Sequence, residues 1–467
     1  MIRIFNQLVS LKVAALIQIE ALVILSCFFT AAKLWFWNDP AGEAAHASWP
    51  FFLVQCLIQM VLLQVCFYYN GLYTVQDHES RTQQLVALMR AIGMLSLISA
   101  ALYFLAPILA IGRGVTILAL ILTLAAVFTA RLVLDSVWRA AVPTRNLLVV
   151  GTGSLAMALV QEVQRRHDLK LRISAFTTVD PATCGGEREY LDCPVRCICN
   201  LVEDVRTLDI SQIVVALENG VDLPMKDLVE LRLRGVSVIA VHEILEALTG
   251  RVRLDATPPS EVIFKGHLRL TEFTLARKRA LDLFLGLVGT LVAAPVMALT
   301  ALAIWLESGS PILYRQTRTG LGGKEFELLK FRSMRVDAEP NGEAQWAQLN
   351  DPRVTRVGAF LRAYRLDELP QFINVVRGEM SIVGPRPERP FFVGRLRRRI
   401  PCYDERHLVR PGVTGWAQVR YPYGRTIDDA VRKLEYDLFY LKNVSFAFDC
   451  AIALKTLRIV LLGRGGQ

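Results

Sequence analysis

Asp367 and Glu368 stand side by side in the stretch RLDELPQFINVVRGEMSIVGPRPE, Arg365 to Glu388, with Arg362 just before it and Arg386 inside it. Neighbouring positions on a helical turn point about 100° apart, so the two carboxylates are free to do different work. One can be aimed at phosphorus while the other holds a divalent ion. Arg362, Arg365 and Arg386 supply the fork geometry that phosphate oxygens accept. Arg386 lies in a turn, Gly384-Pro385-Arg386-Pro387, that Pro385 and Pro387 stiffen, and Lys330-Phe331-Arg332 brings two further cations. The chemistry this set suits is the handling of a diphosphate. Mg2+ suits it as cofactor, because that ion takes one or two carboxylates and leaves its other positions to phosphate oxygens and water. A plainer reading also exists. Asp367 would be the N-cap of a short helix, Glu368–Arg377, with Pro370 in its first turn and Gly378 as its stop, a capping role worth about 1 kcal/mol.

The elements that must position this pair begin with apolar runs. In 467 residues, 53% are hydrophobic and only 21% charged. Residues 13–32 carry a single charge, Glu20, and 47–76, 91–112 and 114–130 carry none. Each is close to the ~20 residues that cross a bilayer core. The first lacks the small-residue cleavage site of a signal peptide. Four transmembrane helices are expected in residues 1–138, the alternative being buried helices of a large soluble core. Arg3, Lys12, Arg81, Arg90, Arg131, Arg139 and Arg145 flank one side of these runs. The loop at 38–48 has Asp39 and Glu43 without any Lys or Arg. The positive-inside rule then puts the N-terminus and everything after residue 138 in the cytoplasm.

Residues 139–270 alternate strand-like and helix-like segments, as a small parallel α/β domain does. Strands are expected at Ile173–Phe176, Ile213–Ala216 and Val236–Val241. Gly151-Thr-Gly153-Ser-Leu-Ala156 fits a dinucleotide fingerprint between strand and helix, with Asp180 late for a ribose-binding acid. Two readings stand: a nucleotide site, or a Rossmann-like spacer whose glycines only let a helix pack close. Cys184, Cys193, Cys197 and Cys199 crowd together without paired C-x-x-C spacing and are read as structural rather than as a zinc site.

A fifth charge-free run, 283–306, lies between Asp282 and Glu307 with Pro295 at its middle. A straight span would carry the following residues, and most of the positive excess, outside. From Arg277 onward there are 30 Lys and Arg against 19 Asp and Glu. A re-entrant helix at about 278–307, bent at the proline, is the better expectation, with freed carbonyls met by side chains such as Thr290. Ser445–Gly465 is read as an interfacial helix with Lys455 and Arg458 toward headgroups. The basic half has no nucleic-acid motif, so lipid bilayer and phosphate are its expected partners.

Four segments carry a resemblance: SGSPILYRQTRTGLGGKEFELLKFRSM, DPRVTRVGAFLRAYRLDELPQFINVVRGEMSIVGPRPE, RPGVTGWAQVR and KLEYDLFYLKN. From about Arg277 to the C-terminus the chain resembles the bacterial sugar transferases, the monotopic phosphoglycosyl transferases. Four N-terminal spans and a Rossmann-like domain resemble the large members, and within them the exopolysaccharide-associated group. The resemblance implies a membrane protein of α plus α/β class. Its parts would be a transmembrane segment (1–138), a Rossmann-like domain (139–270) and a mainly helical catalytic domain (271–467) with a re-entrant helix.

By the same resemblance Asp367 is the nucleophile and Glu368 the metal ligand. Arg362 and Arg386 touch phosphate, Pro295 breaks the membrane helix, and Arg279 and Asp282 anchor it. The implied substrates are a UDP-sugar and polyprenyl phosphate, with a homodimer as the implied assembly. Asp367 would attack the β-phosphorus, UMP would leave, and the lipid phosphate would then take the sugar phosphate from the aspartate. A membrane-bound nucleotide-sugar dehydratase is the rival enzyme, but no tyrosine here has a lysine four residues later. A non-catalytic scaffold of a polysaccharide export complex is the reading from another class.

Overall fold

The computed structural model describes residues 2–4, 7–9, 11–37, 49–73, 81–141, 143–178, 188–191, 193–198, 201–216, 224–255, 271–335, 353–421, 424 and 426–461. Two short strands, β1 (Ile2–Ile4) and β2 (Gln7–Val9), precede four long helices. These are α1 (Leu11–Trp35), α2 (Trp49–Tyr69), α3 (Arg81–Leu105) and α4 (Arg113–Ala141). Only one stripe of each helix is enclosed, around Ile24, Phe28, Leu63, Phe67, Leu88 and Leu95. Leu22, Leu97, Ile117 and Ile121 face outward, so the apolar surface continues all round, as it does on helices that lipid covers. With Glu272–Ser308, five of the described helices are long and apolar enough to cross a membrane. The one charge of the first run has a partner. Arg131 Nε lies 2.6 Å from Glu20 Oε1, and the Tyr73 hydroxyl donates to Glu20 Oε2 at 2.7 Å. With Lys12–Asp135 at 2.6 Å, this runs α1 antiparallel to α4.

The sheet that follows holds β3 (Arg145–Val150), β4 (Leu171–Thr178), β5 (Arg188–Tyr190), β6 (Cys193–Cys197), β7 (Ile210–Val215) and β8 (Ser237–Ala240), in the order β5-β6-β4-β3-β7-β8. β3 pairs parallel with β4 and β7, and β4 parallel with β6. Apart from the antiparallel edge strand β5, this is the 3-2-1-4-5 order of doubly wound folds. Helices α5 (Ser154–Arg165), α6 (Leu201–Thr207) and α7 (Met225–Leu233) connect the strands. Gly151 has φ +112°, Gly153 caps α5, and Ala156 is fully buried. The glycine fingerprint therefore occupies the first strand-to-helix turn. Asp180, Cys184 and Cys199 lie outside the described residues. The Cys193 thiol donates to the Ile173 carbonyl at 3.5 Å.

The chain divides into two compact units, changing at Val238 and Ile239. Residues 239–255, read from the sequence as part of the middle domain, belong to the second. Its first helix, α8 (Val241–Thr249), ends at Gly250 with φ +70°. Trp416 Nε1 donates to the Gly250 carbonyl at 2.8 Å, and Val252 N donates to the Glu435 carbonyl at 3.0 Å. Next come α9 (Glu272–Ser308), the antiparallel hairpin β9 (Leu313–Thr319) and β10 (Glu325–Phe331), α10 (Arg356–Ala363) and α11 (Gln371–Arg377). The unit closes with β11 (Ser381–Val383), α12 (Pro390–Arg397), β12 (Gly412–Thr414) parallel to β11, and α13 (Trp416–Arg420), α14 (Ile427–Lys442) and α15 (Phe446–Leu461). Trp416, Phe439, Tyr440 and Phe448 form its aromatic core.

Helix α9 is continuous through Pro295. Gly286 and Gly289 let it approach Val375 and Phe372; a Cβ at Gly289 would lie 2.9 Å from the Phe372 ring. Farther along, Met297, Ala301 and Ile304 pack with Leu361, Leu366 and Leu369. Its other face is bare, with Leu291 76%, Val292 70% and Leu306 70% exposed. Thr290 Oγ1 donates to the Gly286 carbonyl at 2.7 Å. That hydroxyl serves its own turn rather than the Leu291 carbonyl, which loses its donor to Pro295.

Candidate active site

The acidic pair is built on a turn rather than on a helix start. Thr355 caps α10, accepting from Gly358 N at 2.9 Å, and Gly358 lies against the Ser333 carbonyl, where a Cβ would meet oxygen at 2.0 Å. The helix stops at Arg365, which takes the left-handed conformation (φ +55°), uncommon for a residue with a side chain. Leu366–Glu368 then form one 3-10 turn, and Pro370, not Asp367, occupies the N-cap of α11. This corrects the expected helix Glu368–Arg377. The turn closes on its own carbonyls, Glu368 N on Arg365 O at 3.2 Å and Phe372 N on Leu369 O at 3.1 Å, so no side chain is needed as a cap. Neither carboxylate makes a capping hydrogen bond. The stop at Gly378 is as expected, with φ +87°.

Lys330, Arg362, Arg365 and Arg386, scattered over 57 positions of sequence, converge here. Glu368 Oε1 lies 3.3 Å from Lys330 Nζ and 3.0 Å from Arg386 Nη2, and its Oε2 lies 3.5 Å from Arg365 Nη1. Burial pushes the Glu368 carboxyl up, but Lys330, Arg386 and Arg365 together outweigh it and hold the group well below the usual carboxylate range. Asp367 goes the other way. Burial and the adjacent Glu368 charge raise it, against the pull of Lys330, Arg362 and Arg386. The surroundings thus push the two adjacent carboxyls in opposite directions, Glu368 down and Asp367 up.

The scaffold around the pair is unusually well tied. Four successive carbonyls of the proline turn each accept a hydrogen bond from another element. Pro385 O takes Gly412 N, Arg386 O takes Arg406 Nη2 and Pro387 O takes Arg318 Nη1, each at 2.9 Å, and Glu388 O takes Thr319 N at 2.9 Å. Arg406 is itself buried, 2.9 Å from Asp437 Oδ2. Asn374, fully buried, donates to the Glu327 carbonyl at 2.7 Å and accepts from Leu329 N at 3.0 Å, fixing α11 to β10 and so Glu368 to Lys330. Arg279 Nη1 and Nη2 donate to the Val375 and Val376 carbonyls at 2.6 and 2.9 Å, closing the C-terminal end of α11. Asp282 Oδ1 accepts from Ser381 Oγ and Ile382 N, both at 2.9 Å.

Arg332 stands apart from this cluster. Its Nη2 donates to the Ser308 and Gly309 carbonyls at the end of α9, and its Nε and Nη1 are buried without a partner among the described residues. Arg362 Nε donates to Ser333 Oγ at 2.9 Å. Of the residues singled out in the sequence, then, Asp367, Glu368, Lys330, Arg362, Arg365 and Arg386 come together, and Pro385 holds their turn. Arg279, Asp282 and Arg332 act at the two ends of α9.

Residues 273–463 match the family described as bacterial sugar transferase. An exopolysaccharide production protein, PSS, of Rhizobium leguminosarum bv. phaseoli is 43% identical over 189 residues, which are 39% of this chain and 94% of that protein. The chain belongs to the bacterial sugar transferase family. A UDP-N-acetylgalactosamine-undecaprenyl-phosphate N-acetylgalactosaminephosphotransferase of Aeromonas hydrophila is 43% identical over 232 residues, 50% of this chain and 54% of that protein. A UDP-glucose:undecaprenyl-phosphate glucose-1-phosphate transferase of Escherichia coli is 38% identical over 260 residues, 55% of this chain and 56% of that one. The matches thus span about half the length of these two relatives.

Within this bacterial sugar transferase, the residues that sequence reasoning missed are Arg406 and Asn374. Arg406 sits in a charged stretch, Asp404–His407, that reads as surface, and its partner Asp437 is 31 positions on. Asn374 looks like one polar residue on a short helix. Burial alone reveals both.

Proposed function

We propose that this bacterial sugar transferase moves a sugar 1-phosphate from a UDP-sugar to polyprenyl phosphate, through a covalent intermediate on Asp367, in exopolysaccharide or glycoconjugate assembly. The observation that carries the reading is the cluster itself: two adjacent carboxylates, Asp367 and Glu368, with Lys330, Arg386 and Arg365 at 3.3, 3.0 and 3.5 Å from Glu368. An Asp367 oxygen attacks the β-phosphorus, and the bond from that phosphorus to the bridging oxygen breaks, releasing UMP. A polyprenyl phosphate oxygen then attacks the same phosphorus. The bond to Asp367 breaks, restoring the carboxylate and leaving polyprenyl diphosphate-sugar. An acyl phosphate keeps enough transfer potential for this exchange to run near balance. Arg362 and Arg386 offset the repulsion between the carboxylate and the anionic diphosphate. The names of the relatives, which act between UDP-sugars and undecaprenyl phosphate, agree with it.

Mg2+ fits the donor set. Glu368 is an ionised hard-oxygen ligand, and among the described residues no third His, Cys, Asp or Glu completes a protein cage. The remaining positions would go to the diphosphate, which suits Mg2+. When bound, the ion supplies charge neutralisation at the phosphates. Glu368 would hold it, and Lys330 and Arg386 would then be released toward substrate.

The proposed setting is the cytoplasmic face of the bacterial inner membrane, with α1–α4 spanning and α9 dipping in and returning. Both ends of α9 bind the same compact unit: Lys278 meets Asp449 at 2.6 Å, and Glu307 accepts from Val357 N at 3.2 Å. That supports a re-entrant course. A homodimer is part of the same proposal.

The test of the chemistry is UMP release by the full chain in lipid. Asp367→Asn should lower it by about 10³-fold or more. Radiolabelled UDP-sugar without lipid acceptor should mark the wild type in a hydroxylamine-labile bond. Equal UMP release by wild type and Asp367→Asn would end the reading, and turnover without label would point to direct attack by the lipid phosphate.

A further inference from the structure

Two buried carboxylates leave α14 on opposite sides. Glu435 faces the segment that follows α8: Arg251 Nη1 donates to its Oε2 at 2.8 Å and Leu254 N to its Oε1 at 3.1 Å. Asp437, two positions on, points about 200° away around the helix and meets Arg406, whose Nη2 lies 2.9 Å from its Oδ2. Glu435 is 4%, Asp437 2% and Arg406 6% exposed. Taking such charges out of water is costly, and a buried pair often stabilises a fold no better than apolar side chains of the same size. Stability alone is therefore a weak reason for Asp437 and Arg406 to stand here.

A third partner supplies a better one. The same Arg406 Nη2 donates to the Arg386 carbonyl at 2.9 Å, and Nη1 donates to the Tyr403 hydroxyl at 2.8 Å. Arg386 in turn donates from its own Nη2 to Glu368 Oε1 at 3.0 Å. A guanidinium is a planar fork, so its donors cannot be re-aimed one at a time. With Asp437 and Tyr403 holding it, the fork presents a fixed donor to one backbone oxygen. That oxygen belongs to a residue between two prolines, neither of which has an N–H to tie the turn from within. Asp437 Oδ2 accepts no well-aligned hydrogen bond among the described residues, so its hold on Arg406 is mainly one of charge. Helix α14 is itself fastened at two further points, Val252 N on the Glu435 carbonyl at 3.0 Å and Lys442 Nζ on Glu246 Oε2 at 2.8 Å.

We infer that Asp437 is a positioning residue for the phosphate-handling pair: through Arg406 it fixes the backbone that carries Arg386, and Glu435 refers that position to the Arg251–Leu254 segment. Asp437 itself touches no substrate. Its whole effect on the reaction passes through one side chain, that of Arg386. The inference rests on the reading above in which Arg386 acts on the diphosphate of the nucleotide sugar.

The test is a double-mutant cycle on single-turnover UMP release by the full chain in lipid, with UDP-glucose and UDP-N-acetylgalactosamine as the donors tried. Asp437→Asn keeps the shape and removes the charge, and should slow release about tenfold. Tyr403→Phe removes only the hydroxyl that accepts from Arg406 and should act in the same direction. It stands in for Asp437→Asn if thermal unfolding shows that variant unfolded. In an Arg386→Ala background neither substitution should slow release further, whereas any lowering of the thermal midpoint should persist there. A merely structural role would slow release by the same factor in both backgrounds, and that result would overturn the inference. So would a wild-type rate in both folded single variants. Two other results would instead remove the reading of Arg386, and the inference with it: Arg386→Ala as fast as the wild type, or no UMP from the wild type with either donor.

Discussion

Asp367 and Glu368 share one turn, yet the surroundings set their protons differently, and the consequence is a pH dependence. Asp367 can attack only when ionised, and its carboxyl is raised above the ordinary 3.8 by burial and by the Glu368 charge. Activity should therefore fall as pH drops through a value above 3.8, with Asp367 gaining its proton there. The residual activity of Glu368→Gln should show that limb moved to lower pH, since one of the two raising causes is gone. A pH profile of single-turnover UMP release checks both. The same substitution leaves Lys330 and Arg386 without their shared oxygen. Removing one partner of a buried pair costs about 3–5 kcal/mol, so a lowered unfolding midpoint should accompany it. At this scale the sequence was readable: the residue types alone pointed to phosphate and metal. The direction of each proton shift was not, because it depends on which cations reach which oxygen.

At the scale of elements, α9 and the proline turn do the positioning. The turn cannot bond to itself through Pro385 and Pro387, which have no N–H, and its carbonyls are taken by β9, β12 and Arg406. Helix α9 holds α11 by the Arg279 fork and by close approach at two glycines. Arg279→Met keeps the length of the side chain but leaves two carbonyls unpaired, at about 1–3 kcal/mol. Gly289→Leu drives a side chain into Phe372, costing about 1–3 kcal/mol by overpacking. Both should lower the thermal midpoint of the detergent-solubilised chain and reduce UMP release, because α11 begins three residues after Glu368 and the turn that carries the pair leads directly into it. An unchanged midpoint in Gly289→Leu would mean that α9 and α11 separate more freely than the packing implies. The sequence marked Arg279 and Asp282 only through resemblance. What they grip, a helix end and a strand about 100 positions away, is a product of the fold.

For the whole molecule, five of the described helices are long and apolar enough to cross a membrane, and the course of α9 decides the topology. If α9 is re-entrant, single cysteines at positions 283 and 306 in a cysteine-free background should both react with an impermeant maleimide from the cytoplasmic side alone. Labelling of the two from opposite sides would make α9 a span and remove the proposed topology. The buried Glu20–Arg131 pair and Lys12–Asp135 fix the pairing of α1 with α4. Such pairs are expected where charge is expensive and a wrong pairing would leave it unmet.

The amino-acid sequence by itself determined the apolar helices, the alternation of strand and helix after them, and the residue types of the phosphate-handling pair. These follow from local period and composition, which need no partner. The tertiary structure decided the rest. It turned the expected helix start into a 3-10 turn, gathered four distant cations on the pair, and sent Arg332 to the end of α9. It also buried Arg406 and Asn374, which nothing in the local sequence marks. Each depends on contacts between residues far apart in sequence, and charge, burial and proton affinity at one carboxylate are set by whichever groups folding brings within a few ångströms.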